Sequence, residues 1–232
     1  MRVLAFDAAT EACSVALLNG DETIGRCAVG IPAAAPQLLA MAESVLAEAG
    51  LALTMLDGVA ASVGPGAFTG VRITVAVAQG LAFGAGLGVA AVTTLEALAL
   101  KEIRGGANRV LACLDARMGE VYWGCFAAHA ELGLIEISPA AVGPPQSVVL
   151  PLCGIYHGVG RGFAAYPALG SLAGVALHAQ APHMLPNARE SARLGALRLG
   201  LGQGLDPADL RPLYLRDKVA LTEAERRAQR PP

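Results

Sequence analysis

The chain has 232 residues, 54% of them hydrophobic, and a formal net charge of -2 at pH 7. This length accommodates one large domain or two domains of about a hundred residues each. Only 16% of the residues are charged, and the near-neutral balance without a basic stripe gives no support to a protein that grips nucleic acid alone.

Cysteine usage and hydropathy bear on the compartment. The cysteines are odd in number and lack metal-ligand spacing, which predicts free thiols in a reducing compartment: Cys13, Cys27, Cys113, Cys125 and Cys153. The first apolar run meets Asp7 too early for a signal peptide. Residues 71–91 have membrane-like hydropathy, but Arg72, Gln79 and several glycines favour a buried helix followed by a strand. We therefore expect a cytoplasmic protein that does not enter a membrane.

The first hundred residues alternate between apolar strands and helices. An Asn19-Gly20 pair is typical of a two-residue hairpin turn. A helix over 37–49 is predicted from its amphipathic spacing, and Thr93 or Thr94 is expected to cap a helix reaching Ile103. Strands are predicted over 3–6, 12–18, 22–29, 58–63 and 89–92.

Residues 64–86 are the least ordinary stretch. Gly64-Pro65-Gly66 predicts a turn, and Thr69 is expected to cap the helix that follows. Between Gly70 and about Phe83 the apolar residues cover every side, so the helix must be covered on all sides. A row of small residues would let another helix, from this chain or another subunit, approach closely: Ala76, Gly80 and Gly84.

The glycine-rich turn has two interpretations. Free amides at a helix start can cradle phosphate. However, no Lys-Ser/Thr pair follows the glycines, and their spacing does not match a dinucleotide fingerprint. We favour a structural turn over a phosphate cradle.

Gly105-Gly106 marks the clearest boundary, and a second alternating region follows. Strands are predicted over 110–114, 120–127, 132–137 and 154–159, with a short helix within 139–151. A helix is predicted over 190–201, an extended segment over 206–216 and a charged, frayed tail over 222–232.

A short repeat relates the two regions. Residues 4–8 and the strand after them resemble residues 111–116 and their following strand: strand, Asp-Ala, turn, strand. The copies lie about half a chain apart, which predicts an α/β duplication of two βββα units.

Four segments together resemble one family. They are residues 4–17, 64–80 and 114–122, with a weaker match at Pro212-Leu213-Tyr214-Leu215-Arg216. On these motifs, most of the chain resembles the bacterial tRNA threonylcarbamoyladenosine biosynthesis proteins of the TsaB (YeaZ) family. The resemblance implies an α/β fold of the actin/Hsp70/sugar-kinase type, an actin-like ATPase duplication with two RNase H-like βββαβα halves. It suggests a first domain over 1–104, a second, degenerate domain over 105–205 and a tail over 206–232 that packs on the first.

The resemblance also implies a role and partners. Members are non-catalytic partners of TsaD, which installs threonylcarbamoyl on the adenosine next to the tRNA anticodon, and the ATPase TsaE completes the complex. Members form a homodimer through their first two helices, and TsaD takes the same surface. Contact with tRNA is expected only indirectly, through the complex.

The fold implies two vestigial phosphate loops, at Asp7 and Thr10 in the first half and at Asp115 in the second. Active relatives flank a magnesium nucleotide with two such carboxylates. Here Ala9 replaces the usual glycine, and Arg117 crowds the second loop. A working nucleotide site remains open, but we favour Asp7 and Asp115 as turn caps, with no cofactor.

The histidines and serines do not form a catalytic set. No histidine lies in 32–41, where TsaD carries a metal-binding His-x-x-x-His, and the four histidines show no ligand spacing: His129, His157, His178 and His183. The His-Thr or His-Ser dipeptide of many relatives is also missing near Ala35. No GxSxG motif occurs. We expect neither a bound metal nor a peptidase.

Two function hypotheses follow. The first is a scaffold that activates TsaD through the helices 37–49 and 70–84, and Ala78→Arg should abolish its partner contacts or, if that side is buried, unfold it. The second is an ATP-dependent small-molecule kinase using Asp7 and Asp115. The residues expected to line the partner contact are Leu38, Met41, Val45, Val71, Thr74, Val75, Ala78 and Leu81.

Overall fold

The computed structural model describes residues 1–30 and 34–216. Its first half is built on a five-stranded sheet in the order β3-β2-β1-β4-β5. The hairpin β1-β2-β3 is antiparallel, and β4 and β5 add in parallel. The strands are β1 (Arg2–Asp7), β2 (Ala12–Asn19), β3 (Glu22–Val29), β4 (Gly58–Ser62) and β5 (Val89–Val92).

The second sheet repeats the plan of the first. Its order, read from the opposite edge, is β8-β7-β6-β9-β10. Each strand therefore takes the place of the strand five earlier in the chain. The antiparallel and parallel pairings also correspond. The predicted α/β duplication is therefore confirmed. The strands are β6 (Arg109–Arg117), β7 (Glu120–His129), β8 (Gly133–Gly143), β9 (Tyr156–Val159) and β10 (Val175–Ala176).

Five α-helices complete the described part of the chain. They are α1 (Ala35–Ala49), α2 (Phe68–Ala85), α3 (Thr94–Arg104), α4 (Gly162–Ala165) and α5 (Ala188–Gly200). Both α1 and α2 pack on one face of the first sheet, where a core forms around Phe6, Leu17 and Leu38. The short helix expected within 139–151 is a single 3-10 turn, Pro145–Ser147.

Two helices are exchanged between the halves. Helix α3 follows the first sheet but packs on β6, β7 and β8. Its start is fixed by Thr93 and Glu96, which form the predicted cap reciprocally. Helix α5 follows the second sheet but packs on β1, β2, β4 and β5, on the face opposite α1 and α2. Each half is thus closed by a helix from the other half's stretch of chain.

Helix α2 starts earlier than the sequence predicts. It begins at Phe68, and its N-cap is Ala67, which provides no side-chain cap. The amide of Ala67 instead donates to the Ala9 carbonyl oxygen at 2.7 Å, which holds the glycine turn and lets the helix begin before Thr69. The expected capping role of Thr69 is therefore wrong.

Residues 205–216 return to the first half. Leu205 bridges to Val89 at the sheet edge, and Leu210 is fully buried in the core beside α2. The amide of Leu213 donates to the Val63 carbonyl oxygen at 2.7 Å. Arg216 then reaches Glu120 in the second half. The charged tail predicted over 222–232 lies outside the described residues.

The apolar stretch 71–91 divides into α2 and β5, as predicted. By length and composition alone, α2 would be able to cross a membrane, and it is the one such helix in residues 1–30 and 34–216. In this fold it packs on β4, β1 and α1. All five cysteines are free, as their number and spacing predict.

Candidate functional site

Asp7, at the end of β1, is sealed inside the protein. Its side chain is completely buried. One carboxylate oxygen accepts from the Ala9 amide at 3.0 Å, and the other accepts from the Ser62 hydroxyl. Burial raises the pKa of Asp7 to about 6 although both hydrogen bonds lower it, and the nearby Glu190 carboxylate raises it further.

A chain of hydroxyl groups continues from Asp7 to α5. Because Ser62 donates its proton to the carboxylate, it accepts from Ser191, whose oxygen lies 3.0 Å away. On the other side, Ser14 accepts from the Ala188 amide at 3.0 Å. The carboxylate therefore fastens α5 to the first sheet, and its oxygens are already engaged by protein groups.

Asp115, at the matching place in the second half, lies in a cleft. One carboxylate oxygen accepts from the Arg117 amide at 2.8 Å and from the Tyr166 hydroxyl at 3.3 Å. The other oxygen lies 3.2 Å from the Arg117 guanidinium. Asp7 and Asp115 thus both hold the amide two residues further on, the turn-capping arrangement favoured from sequence.

The cleft between the halves has a volume of about 940 Å³. Thr10 and Asp115 line it, whereas Asp7 does not. An ion pair between Glu11 and Arg161 joins its two walls. Only one of the two carboxylates required by the kinase hypothesis therefore faces this space.

The glycine turn sits directly on the first vestigial loop. A Cβ atom at Gly66 would overlap the carbonyl oxygen of Ala9, so only glycine fits this approach. The Thr10 hydroxyl accepts from the Ala12 amide at 3.3 Å, within its own loop. The turn therefore packs against the loop, an arrangement consistent with the structural interpretation.

The histidines lie apart. His129 accepts from the amides of Glu131 and Leu132, and His178 lies 3.0 Å from Glu102. Within residues 1–30 and 34–216, no group of three or more His, Cys, Asp or Glu side chains could hold a metal ion.

Most of the residues expected to line the partner contact point inward, and that choice needs correction. Met41 and Leu81 are half-buried. The other six are buried in this single chain, against the first sheet and between α1 and α2: Leu38, Val45, Val71, Thr74, Val75 and Ala78. The sequence could not settle which face of α2 is outward, because apolar residues occur all round the helix.

The outward face of α2 carries the row of small residues. Ala76, Gly80 and Gly84 are exposed, and no atom of the described residues lies within 4 Å of a Cβ placed at either glycine. Phe83, beside this row, is 77% exposed. From α1, Leu39 adds a further exposed apolar side chain. We call these five residues the outer face.

An aromatic cluster lies at the start of α2, next to the cleft. The Arg72 guanidinium lies 3.6 Å from the centre of the Phe68 ring and donates to the Tyr214 hydroxyl at 2.6 Å. Both aromatic rings are about half exposed. Sequence reasoning missed Phe68, Phe83 and Leu39. For Phe83, the one available signal was its place in α2 directly before Gly84, a member of the small-residue row.

Comparison with known proteins places the chain in a family. A model of TsaD, tRNA N6-adenosine threonylcarbamoyltransferase, matches residues 33–140. TsaB of Escherichia coli, a tRNA threonylcarbamoyladenosine biosynthesis protein, is 39% identical over 228 residues, 95% of this chain and 96% of that protein. The Haemophilus influenzae TsaB is 33% identical over 94% of this chain and 95% of that protein.

A solved structure agrees with these relatives. YeaZ from Pseudomonas aeruginosa is 41% identical, with a TM-score of 0.84, over 92% of this chain and 99% of that one. Sequence and fold therefore match over nearly the whole length. The chain belongs to the TsaB (YeaZ) family of tRNA threonylcarbamoyladenosine biosynthesis proteins.

Proposed function

We propose that this chain takes part in forming threonylcarbamoyladenosine in tRNA, as a non-catalytic scaffold that binds a TsaD-type transferase. The family and the names of its relatives support the pathway. The match of residues 33–140 to the TsaD model supports a pairing of similar folds, in which corresponding helices of the two proteins meet.

The outer face is the observation that carries this proposal. The exposed side of α2 is built from Ala76, Gly80 and Gly84, which allow the backbone of another helix to approach closely. Phe83, 77% exposed, provides a large apolar side chain that a partner would bury. The low share of charged residues in the whole sequence, 16%, is consistent with a large covered area.

The state of Asp7 supports the absence of catalysis. A carboxylate that binds a magnesium nucleotide must present its oxygens to the ligand. Here those oxygens hold Ala9 and Ser62, and the side chain is completely buried. The kinase alternative would require this network to open.

The outer face also accounts for a homodimer, and the family resemblance supplies the other partners. In isolation, the outer face pairs with that of a second copy, because a two-fold interface brings one patch against itself. TsaE joins the assembly of this chain with TsaD, and the complex acts on tRNA in the cytoplasm. These assignments rest on the family resemblance.

Gly80→Arg tests the proposal. The position is open to solvent, so the fold should remain intact while the guanidinium blocks close helix contact. Co-purification with TsaD should be lost, and the homodimer should become a monomer on size-exclusion chromatography. Ala130→Arg, at an exposed turn in the second half, is the matched control and should change neither. Unchanged TsaD binding by a folded Gly80→Arg protein would contradict the proposal.

A modification assay tests whether TsaD needs this chain, and its outer face, to modify tRNA. TsaD and its other components should form threonylcarbamoyladenosine with the unchanged chain and fail to do so with the Gly80→Arg variant. Product formation at the same rate without this chain would also overturn the proposed role.

A further inference from the structure

A group of basic side chains lies on the face opposite the outer face. Lys101 and Arg104 occupy the last turn of α3, and Arg189 and Arg193 occupy the first turns of α5. Because α3 and α5 pack together, residues almost ninety positions apart become neighbours. We call these four residues the basic patch.

Among the residues that the structure describes, the four cations have no carboxylate within ion-pair distance. The ion pairs of the described residues involve Arg26, Arg117, Arg161, His178, Arg198 and Arg216, and none of the basic patch. The nearby carboxylates are Glu190 and Asp21, while Glu102 bonds His178. The four cations therefore outnumber these three carboxylates.

The positions on α5 are electrostatically unfavourable without a ligand. Lys101 and Arg104 are in favourable positions, because the helix dipole stabilises cations in the last turn of α3. The same dipole disfavours Arg189, which lies two residues after the Asn187 cap. Burial and the like charges of Arg104 and Arg189 also lower the pKa of Arg193. An anion bound here would relieve this repulsion.

The side chains are held ready for such contact. Arg189 donates to the Thr23 carbonyl oxygen at 2.6 Å, and Arg193 donates to the Thr23 hydroxyl at 3.0 Å. Lys101, Arg189 and His183 line an open groove of about 490 Å³ beside β3. Guanidinium groups match phosphate oxygens in geometry, and anchoring them reduces the entropy lost on binding.

We propose that the basic patch binds the sugar-phosphate backbone of the RNA substrate. This inference rests on the proposed function for the choice of RNA over another polyanion. It places direct RNA contact on this chain, although the overall charge of -2 gives no sign of it. Since α5 and the helices α1 and α2 cover opposite faces of the first sheet, RNA and the transferase can bind together.

The test measures tRNA binding by fluorescence anisotropy across a salt series. The samples are the chain alone and its complex with TsaD, and the probe is a labelled transcript of a tRNA that carries the target adenosine next to its anticodon. The double variant Lys101→Ala, Arg104→Ala should weaken binding about tenfold and reduce the slope of log K against log salt by about one for each phosphate that is no longer neutralised. Arg189→Ala should act in the same direction.

The matched control removes two exposed arginines elsewhere. Arg117 already pairs with Asp115, and the Arg2 guanidinium bonds the Met55 carbonyl oxygen. The double variant Arg2→Ala, Arg117→Ala should leave affinity and salt slope unchanged. Equal losses in both double variants, or no loss in the basic-patch variant, would overturn the inference.

Two further arms identify the ligand. Inorganic phosphate at matched ionic strength should not displace the transcript, and displacement would instead indicate a single-phosphate site. Capture of TsaD is measured on the same variants and should be unchanged. If the basic-patch variant loses a protein partner but keeps RNA affinity, the patch is a protein interface and the inference fails. Loss of TsaD capture by Gly80→Arg is a separate result that bears on the proposed function alone.

Discussion

The two halves share a sheet but not a set of helices. In the first half, α1 with 15 residues and α2 with 18 cover one face of the sheet. At the corresponding places in the second half stand a three-residue 3-10 turn and the four-residue helix α4. The duplication therefore supplies two frameworks, and within residues 1–30 and 34–216 these two places hold long helices only in the first half.

The aspartates at the ends of the central strands differ in the same way. Asp7 is enclosed and connected through Ser62 to α5, whereas Asp115 faces the cleft beside Arg117. In the first half, the aspartate at the strand end thus forms part of a buried hydrogen-bond network that holds α5 on the sheet. Equivalent positions in a duplicated fold can therefore keep the same residue type while one side chain is buried in a structural network and the other lines the cleft.

The largest expected effect is a difference in stability between an arginine substitution in α2 and one in α4. Ala78 is completely buried in α2, so Ala78→Arg buries an unpaired charge and should cost more than about 4 kcal/mol, enough to unfold the protein. Ala164, in α4, is exposed, and Ala164→Arg should change stability by less than about 0.5 kcal/mol. Urea unfolding measures both. Similar losses at the two positions would remove the distinction between the helices.

A second prediction concerns a feature that both halves keep. A Cβ at Gly66 would overlap the Ala9 carbonyl oxygen, and one at Gly160 would overlap that of Cys113. Gly66→Ala and Gly160→Ala should each destabilise by about 2–4 kcal/mol. The control, Gly80→Ala, has open space and should stabilise α2 by about 0.5–1 kcal/mol. Thermal unfolding measures the stability of each variant. A Gly66→Ala protein as stable as the control would show that the turn does not lie in close contact with the loop.

The smallest effect is a pH dependence specific to Asp7. Its pKa is raised to about 6 in the folded chain from 3.8, so the folded state holds its proton at higher pH than the unfolded state. This contribution favours folding at low pH and is lost as pH rises through 6. The free energy of unfolding of Asp7→Asn, relative to that of the unchanged protein, should therefore rise by about 2–3 kcal/mol between pH 4 and pH 8.

Ser62→Ala provides the counterpart to that measurement. The Ser62 hydrogen bond lowers the pKa of Asp7, so its removal should raise that pKa further and extend the loss of stability to higher pH. Urea midpoints collected from pH 4 to pH 8 follow both variants. A difference between Asp7→Asn and the unchanged chain that stays constant with pH would mean that Asp7 titrates as an ordinary surface carboxyl.

Strands and helix positions were largely readable from the sequence. The predicted strand 22–29 coincides with β3 (Glu22–Val29), because Asn19-Gly20 fixes the hairpin. The cap at Thr93 was readable because Glu96 lies three residues later. The start of α2 was not, since the bond from Ala67 to Ala9 joins segments far apart in the chain.

The sites were harder to predict than the fold. The small-residue row of α2 was visible as a surface for close helix approach. The partner contact was nevertheless assigned to residues such as Val75 and Ala78, which are buried, because the helix is apolar all round. The basic patch was invisible for a different reason. Lys101 and Arg189 come together only through the exchange of α3 and α5 between the sheets, which no local pattern reveals.

That exchange has a consequence for how the protein is made. During synthesis, the first sheet emerges from the ribosome long before residues 188–200, which cover its second face. Val3, Ala5 and Ala60 therefore remain without their final cover until α5 has been synthesised. A nascent chain stopped after the second sheet would expose this apolar surface to chaperones and to other nascent chains, so α5 completes the half that is synthesised first.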